Sequence, residues 1–224
     1  ITVNGSLTTS GDTGSNNFGI INSDNNTITL NGALSATGDG SANINLVSAH
    51  SNVFTVTGAL STTGLDNVIL TDSDSNTLSL TGALTSSGVN SHNLDLTTSD
   101  SNTLTVTGDL SATNTGAANI YLNSGLSNSI TVTGDLVSSG ASAYGLRFDN
   151  VNSSGISIGQ SINAGSSNLI NVRGTITTAA ATSNAIHFIN SDNNQLSIKN
   201  NITAGANAIY FDATSDNNTI DFGG

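Results

Sequence analysis

Apolar residues along this chain recur with two periods at once. Within a segment they alternate, as in Leu104 and Val106 or Ile130 and Val132. Between segments the whole pattern returns after 26 residues. The stretch Asn102-Thr103-Leu104-Thr105-Val106-Thr107-Gly108-Asp109-Leu110 comes back as Asn128-Ser129-Ile130-Thr131-Val132-Thr133-Gly134-Asp135-Leu136. It is anticipated by Asn76-Thr77-Leu78-Ser79-Leu80-Thr81-Gly82-Ala83-Leu84. Alternation by two predicts strands, because successive side chains face opposite ways. No window carries the i, i+3, i+4 spacing of an amphipathic helix. The fixed long period predicts one structural unit copied along an axis.

Aligning the copies gives one scheme. A first strand places apolar residues at offsets 0 and 2, a Gly near offset 4 and a further apolar residue at offset 6. It begins at Ile1, Ile28, Phe54, Leu78, Leu104, Ile130, Ile156, Leu196 and Ile220. A second strand carries apolar pairs, among them Phe18/Ile20, Leu94/Leu96, Ile120/Leu122, Leu146/Phe148, Ile186/Phe188 and Ile209/Phe211. Such a strand pair cannot bury its apolar side alone, whereas parallel stacking of successive copies buries it. The expectation is an all-β single domain over 1–224: a right-handed parallel β-helix, or β-solenoid, of about eight to nine coils. At the ~4.8 Å strand spacing such a rod is roughly 40 Å long. The register breaks once, around 163–176. Ile156 to Leu196 is 40 residues where two periods require 52, and the residues between Leu169 and Ile176 fit either strand type. Either half a coil is deleted there or two coils are shortened.

Polar residues form columns of their own. Asn26, Asn52, Asn76, Asn102, Asn128, Asn194 and Asn218 stand two places before the first apolar residue, where stacked amides can bond as a ladder. A second Asn column precedes the second strand at Asn17, Asn43, Asn67, Asn93 and Asn119, moving back by one to Asn168, Asn184 and Asn207. Gly5, Gly32, Gly58, Gly82, Gly108, Gly134 and Gly174 share the fourth offset, and Asn200 replaces Gly in the last full coil. That substitution pattern predicts a left-handed corner.

Composition changes the picture in three respects. The chain is polar and poor in aromatics, which by itself suits disorder, but disorder needs no period. Its net charge is −12, with Arg147, Arg173 and Lys199 the only Lys or Arg residues. That argues against nucleic acid or an anionic membrane as partner. No apolar run of about 20 residues is present to cross a bilayer as a helix, and the absence of Cys leaves no disulfide frame.

The Asn-x-[Ile/Leu]-Thr-[Val/Leu]-Thr-Gly-x-Leu copies, as at Asn102 to Leu110, make the whole chain resemble a segment of a bacterial secreted β-helix. The kind is that of autotransporter passengers and large surface adhesins. The resemblance implies export and display at the cell surface, although no signal peptide or translocator barrel lies within these 224 residues.

Several residues could carry chemistry. Asp24, Asp74, Asp100, Asp192 and Asp216 lie four places before the first apolar position. Asp74/Asp100 and Asp192/Asp216 fall on adjacent coils, where carboxylates repel unless a cation or donors intervene. Calcium would bridge them; alternatively they cap turns through their own backbone. Asp109 and Asp135 form another adjacent pair, read as solvated loop carboxylates. His50, His92 and His187 fall in three different columns without zinc-like spacing. A polysaccharide-active enzyme would need converging carboxylates with bases to meet acidic sugar. Arg173 and Lys199 share an offset, but no long insertion builds a cleft. Thr29, Thr55, Thr105 and Thr131 share one outward column, with Ser79 between, and Thr57, Thr81, Thr107 and Thr133 share the next. That array resembles the ice-binding face of some β-solenoid antifreeze proteins, and it degrades to Ser157, Asn171 and Ser197. Tyr121 and Tyr210, sharing a column with Arg147 and His187, are the best individual contact candidates.

The reading that follows is a non-enzymatic extracellular structural or adhesive rod with no obligatory cofactor. Its expected partners are a cell-surface glycan or protein, flanking coils, or other copies of itself assembled into fibres. An ice-binding solenoid and a polysaccharide-active β-helix enzyme are the alternatives. Ile1-Thr2-Val3 and Ile220-Asp221-Phe222 occupy equivalent points of the repeat, so further coils or head-to-tail stacking are expected to cover the ends.

Overall fold

A computed structural model of the chain describes residues 1–11, 14–151, 155–158, 168–172, 176–178, 181–182, 184–191, 194–198, 201–212 and 215–222. Every regular element among them is a strand, and every strand pairing is parallel. The strands stack into three sheets, of ten, eight and eight members. The parallel β-solenoid read from the periodicity is therefore the fold.

A full coil contributes to three sheets rather than two. The segment read as one first strand is divided into Thr103–Thr107 in the first sheet and Leu110–Ala112 in the second. His92–Thr97 and Ala118–Asn123 belong to the third. The corner at Gly108 and Asp109 separates the first two sheets, and it aims Leu110 at the core from a different direction than Leu104. Gly at this corner is required less by torsion than by proximity. A Cβ on Gly58 would lie 2.4 Å from the carbonyl oxygen of Gly32, and one on Gly134 would lie 2.5 Å from that of Gly108. Only Gly5, Gly82 and Gly108 of the described corner glycines have positive φ. The expected left-handed corner thus gives way to a close approach of successive coils.

Inside, identical columns meet in register. Leu104 pairs with Leu78 and Ile130, Leu110 with Leu84 and Leu136, and Ile120 with Leu94 and Leu146. All are buried to within 1 %. Phe148, Phe188 and Phe211 stack with ring centroids 4.8 Å apart. Full burial of each such side chain stabilises by about 1.5–3 kcal/mol relative to exposure.

The Asn columns close two of the corners. Asn102 Nδ2 donates to Asn128 Oδ1 (3.1 Å) and to the Ser73 carbonyl (2.8 Å). Its Oδ1 accepts from the backbone N–H and the Nδ2 of Asn76, at 2.9 and 3.1 Å. Both donors and both acceptor sites of the buried amide are used. A second ladder runs from Asn17 through Asn43, Asn67 and Asn93 to Asn119, with Nδ2 to Oδ1 distances of 2.6–2.8 Å.

The register break has a definite form. Gly155–Ile158 and Asn168–Val172 are both first-sheet strands, with Ile156 beside Ile170 and Ile170 beside Leu196. Across the same interval the second sheet joins Leu136 directly to Ile176, and the third joins Leu146 directly to Ile186. Among the described residues one coil thus contributes to the first sheet alone, which is the deletion reading. Asn168 accordingly pairs with Asn194 in the first-sheet Asn column. Its expected place in the column preceding the second strand is corrected, because residues 168–172 are not the approach to a third-sheet strand.

Candidate functional site

The outward surfaces of the three sheets differ in chemistry. On the first sheet Thr29, Thr55, Ser79, Thr105, Thr131 and Ser157 follow one another in register, as do Thr57, Thr81 and Thr107. A further outward column, missed in the pattern, holds Thr27, Val53, Thr77, Thr103 and Ser129. Second-sheet outward positions are Thr8, Ser35, Ser61, Thr85, Ser111 and Val137. None of these residues is charged or aromatic.

The third sheet is different. Its central outward column runs Asn45, Ile69, Asp95, Tyr121, Arg147, His187, Tyr210. One flank carries His92, Ala118 and Tyr144, and the other Thr97, Asn123 and Asp149. All three tyrosines of the chain therefore lie on one face. The column shared by Tyr121, Arg147, His187 and Tyr210 is as expected from spacing. Asp95 was available to the same argument, standing one period before Tyr121. The approach of His92, Tyr144 and Asp149 from neighbouring columns carries no signal in the spacing.

Arg147 is the centre of this face. Its Nε and terminal nitrogen donate to the two carboxylate oxygens of Asp149, at 3.2 and 2.7 Å. Its guanidinium lies over the rings of Tyr121 and Tyr144, at 5.2 and 5.5 Å from their centroids, within cation–π range. Tyr121 donates its hydroxyl to Asp149 Oδ2 at 3.1 Å. Ring contacts extend the array, with His92 to Tyr121 at 4.9 Å, Tyr144 to His187 at 5.5 Å and His187 to Tyr210 at 4.8 Å.

The enclosure shifts several ionisations. Burial and then the Asp149 charge push the Tyr121 phenol up to about 12. Burial works against the Arg147 charge, but the bonds and charge of Asp149 outweigh it and raise its pKa. Burial and then Arg147 lower the His187 imidazole. The same two causes bring His92 down to about 4. Burial raises Asp95 to about 6, and burial with the Asp95 charge holds Asp66 well above the usual carboxylate range. Asp66 is only 2 % exposed and Asp95 accepts a hydrogen bond from Thr97 at 2.9 Å. Asp66 is embedded in the wall of the rod, whereas Asp95 is half-buried on its outward side.

The Asp turns form another ladder. The His50 amide donates to Asp24 Oδ1 (2.8 Å), Asp74 N–H to His50 Nδ1 (3.0 Å), Asp100 N–H to Asp74 Oδ1 (2.7 Å) and Leu126 N–H to Asp100 Oδ1 (2.6 Å). A donor thus intervenes between Asp74 and Asp100, and it is the backbone N–H of the next coil rather than of the carboxylate's own turn. Asp216 stands at the corresponding turn, while Asp192, Arg173 and Lys199 lie outside the described residues. Among the described residues no three His, Cys, Asp or Glu side chains gather as a metal-binding group. Asp135 donates its amide to Asp109 Oδ1 at 3.0 Å, so that pair is a ladder step as well.

Comparison of the chain with protein-family models, with curated proteins and with solved structures finds no match.

Proposed function

We propose that this protein is a non-enzymatic structural or adhesive rod, displayed outside the cell in the manner of a bacterial passenger or large adhesin, and that its third sheet makes the contact. One observation carries the reading. The first and second sheets present Thr, Ser and other uncharged side chains over their first six coils, whereas the third gathers Tyr121, Tyr144, Arg147, Asp149, His187 and Tyr210. A stiff laddered scaffold with one chemically distinct face is suited to presentation. Half-exposed aromatic and Arg side chains are the residue types enriched where proteins bind partners. Beads coated with the protein should adhere to a target cell surface, and Tyr121→Ser with Tyr210→Ser should abolish adhesion in a variant that thermal melts show to be still folded. Adhesion unchanged in that variant would refute the assignment of the face. Reproducible release of reducing ends from a polysaccharide would refute the non-enzymatic reading.

A second reading is favoured by the third Thr column found on the first sheet. Three parallel outward columns make a regular, uncharged hydroxyl and methyl lattice suited to ordering water as ice does. Thermal hysteresis that disappears in Thr105→Leu is the outcome this reading requires.

A further inference from the structure

We infer that the third-sheet column from Asn45 to Tyr210 is a binding strip for an uncharged, extended polysaccharide lying along the rod axis. This rests on the third sheet being the contact face, and adds the chemistry of its partner.

Unsatisfied polar groups point to a ligand first. Among the described residues, the buried side-chain polar atoms with no hydrogen-bond partner are Asn45 Oδ1 and the two ring nitrogens of His187. Both residues stand in the one outward column that also holds Asp95, Tyr121 and Arg147. Elsewhere the ladders leave amides fully bonded, so two orphans in one column are not a general feature of this fold. A buried polar atom without a partner costs about 1–3 kcal/mol. Rotation of either outward side chain toward a ligand hydroxyl would recover that cost. Neutral imidazole offers one donor and one acceptor, and a sugar hydroxyl can answer both.

Spacing narrows the class. Successive positions of the column are one strand apart, ~4.8 Å, close to the length of one pyranose unit in an extended chain. The observed steps along the column agree: 5.2 Å from the Tyr121 ring to the Arg147 guanidinium, and 4.8 Å from His187 to Tyr210. An extended peptide along the same axis would repeat its side chains on one face every ~6.8 Å, out of step with the column. Seven positions span roughly 29 Å, which suits a polymer better than a single sugar.

Charge selects among polysaccharides. Arg147 is matched by a two-point pair with Asp149, Asp95 stands two strands away, and the whole chain carries −12. A polyuronate or sulfated glycan would meet a repulsive field and no unneutralised base on this face. A neutral chain would instead use hydroxyl bonds to Asp149, Arg147 and Asn123, and lay C–H edges against the tyrosines.

The chain has no Trp and its three tyrosines are all on this face, so intrinsic tyrosine fluorescence reports on it alone. The protein should be titrated with soluble β-1,4-glucan, β-1,3-glucan, α-mannan, dextran and polygalacturonate, and run in affinity gels containing each. A fluorescence change and retardation are expected with at least one neutral polymer and not with polygalacturonate. Tyr121→Ser and His187→Ala should each weaken binding at least tenfold, while Thr105→Ser on the first sheet leaves it unchanged. Thermal melts identify any variant that fails to fold, and exposed Tyr210→Ser serves in its place. No response to any neutral polymer, stronger binding to polygalacturonate, or full binding by Tyr121→Ser overturns the inference. Cell adhesion lost in Tyr121→Ser together with silence toward every polymer refutes the glycan and leaves the contact face standing. Adhesion insensitive to that variant refutes both.

Discussion

Asp66 accepts the backbone N–H of His92, and His92 in turn accepts that of Ala118 through Nδ1, at 2.9 Å. Carboxylate and imidazole thus fill the same slot on successive coils. The exchange recurs where His50 stands between Asp24 and Asp74. Imidazole can serve there only with Nδ1 unprotonated, so the proton of neutral His92 is on Nε2.

Acid should attack this ladder. Burial and Arg147 lower His92 to about 4 in the folded state, against about 6.5 unfolded. The folded chain therefore binds fewer protons between these values, and the His92 contribution to stability is lost as pH falls from about 6.5 to about 4. His92→Ala should cost about 1–3 kcal/mol at neutral pH through the orphaned Ala118 amide. Urea melts at several pH values should also show a shallower acid slope in that variant over the same window.

Asp95 acts in the opposite sense. Burial raises it to about 6, so the folded state holds its proton longer than the unfolded state. Stability from this group is present below about 4 and declines as pH rises through about 6. Asp95→Asn, whose Oδ1 can still accept from Thr97, should stabilise the rod by up to about 2 kcal/mol at pH 8. The gain should vanish at pH 4; an equal gain at both values would show that the ionisation is not its source.

Removal of an internal ladder member should be severe. Asn102→Ala deprives the Asn76 amides of their acceptor and the Ser73 carbonyl of its donor in a buried corner. A loss of about 2–4 kcal/mol is expected. Asn26→Ala, nearer the solvent, should lose less than half of that in the same denaturation experiment.

Leu104 sits at 0 % exposure between Leu78 and Ile130. Leu104→Ala should destabilise by about 2–5 kcal/mol, because neighbouring coils held by ladders cannot collapse into the gap. A loss under 1 kcal/mol would indicate a coil stack far more deformable than this packing implies.

Gly58→Ala tests the corner directly. Its new Cβ would press 2.4 Å from the Gly32 carbonyl oxygen, forcing adjacent coils apart at an expected cost of about 1–3 kcal/mol. Gly5→Ala has an open Cβ site but a positive φ, and should cost only about 1 kcal/mol. Equal losses at the two positions would assign the corner to torsion and not to coil spacing.

Much of this architecture is legible in the sequence because a parallel in-register stack turns sequence period into spatial neighbourhood. Residues one period apart, such as Leu78 and Leu104 or Tyr121 and Arg147, must touch once the coils pair. The Asn102 ladder and the outward Thr105 column follow from the same arithmetic, as does the outward third-sheet column through Tyr210. Relations between columns are another matter. A corner at Gly108 was legible in its Gly column, but its carrying the chain onto a second sheet was hidden, because an extended segment reads alike whether or not it changes sheet. Asn168 was misplaced because a coil reduced to its first-sheet strand leaves the local alternation intact. The enclosure of Arg147 by Asp149 and Tyr144, and of Asp66 beside Asp95, depends on distances across the sheet and around its edges. Those distances are set by corner geometry and side-chain packing, which the period of the sequence does not encode.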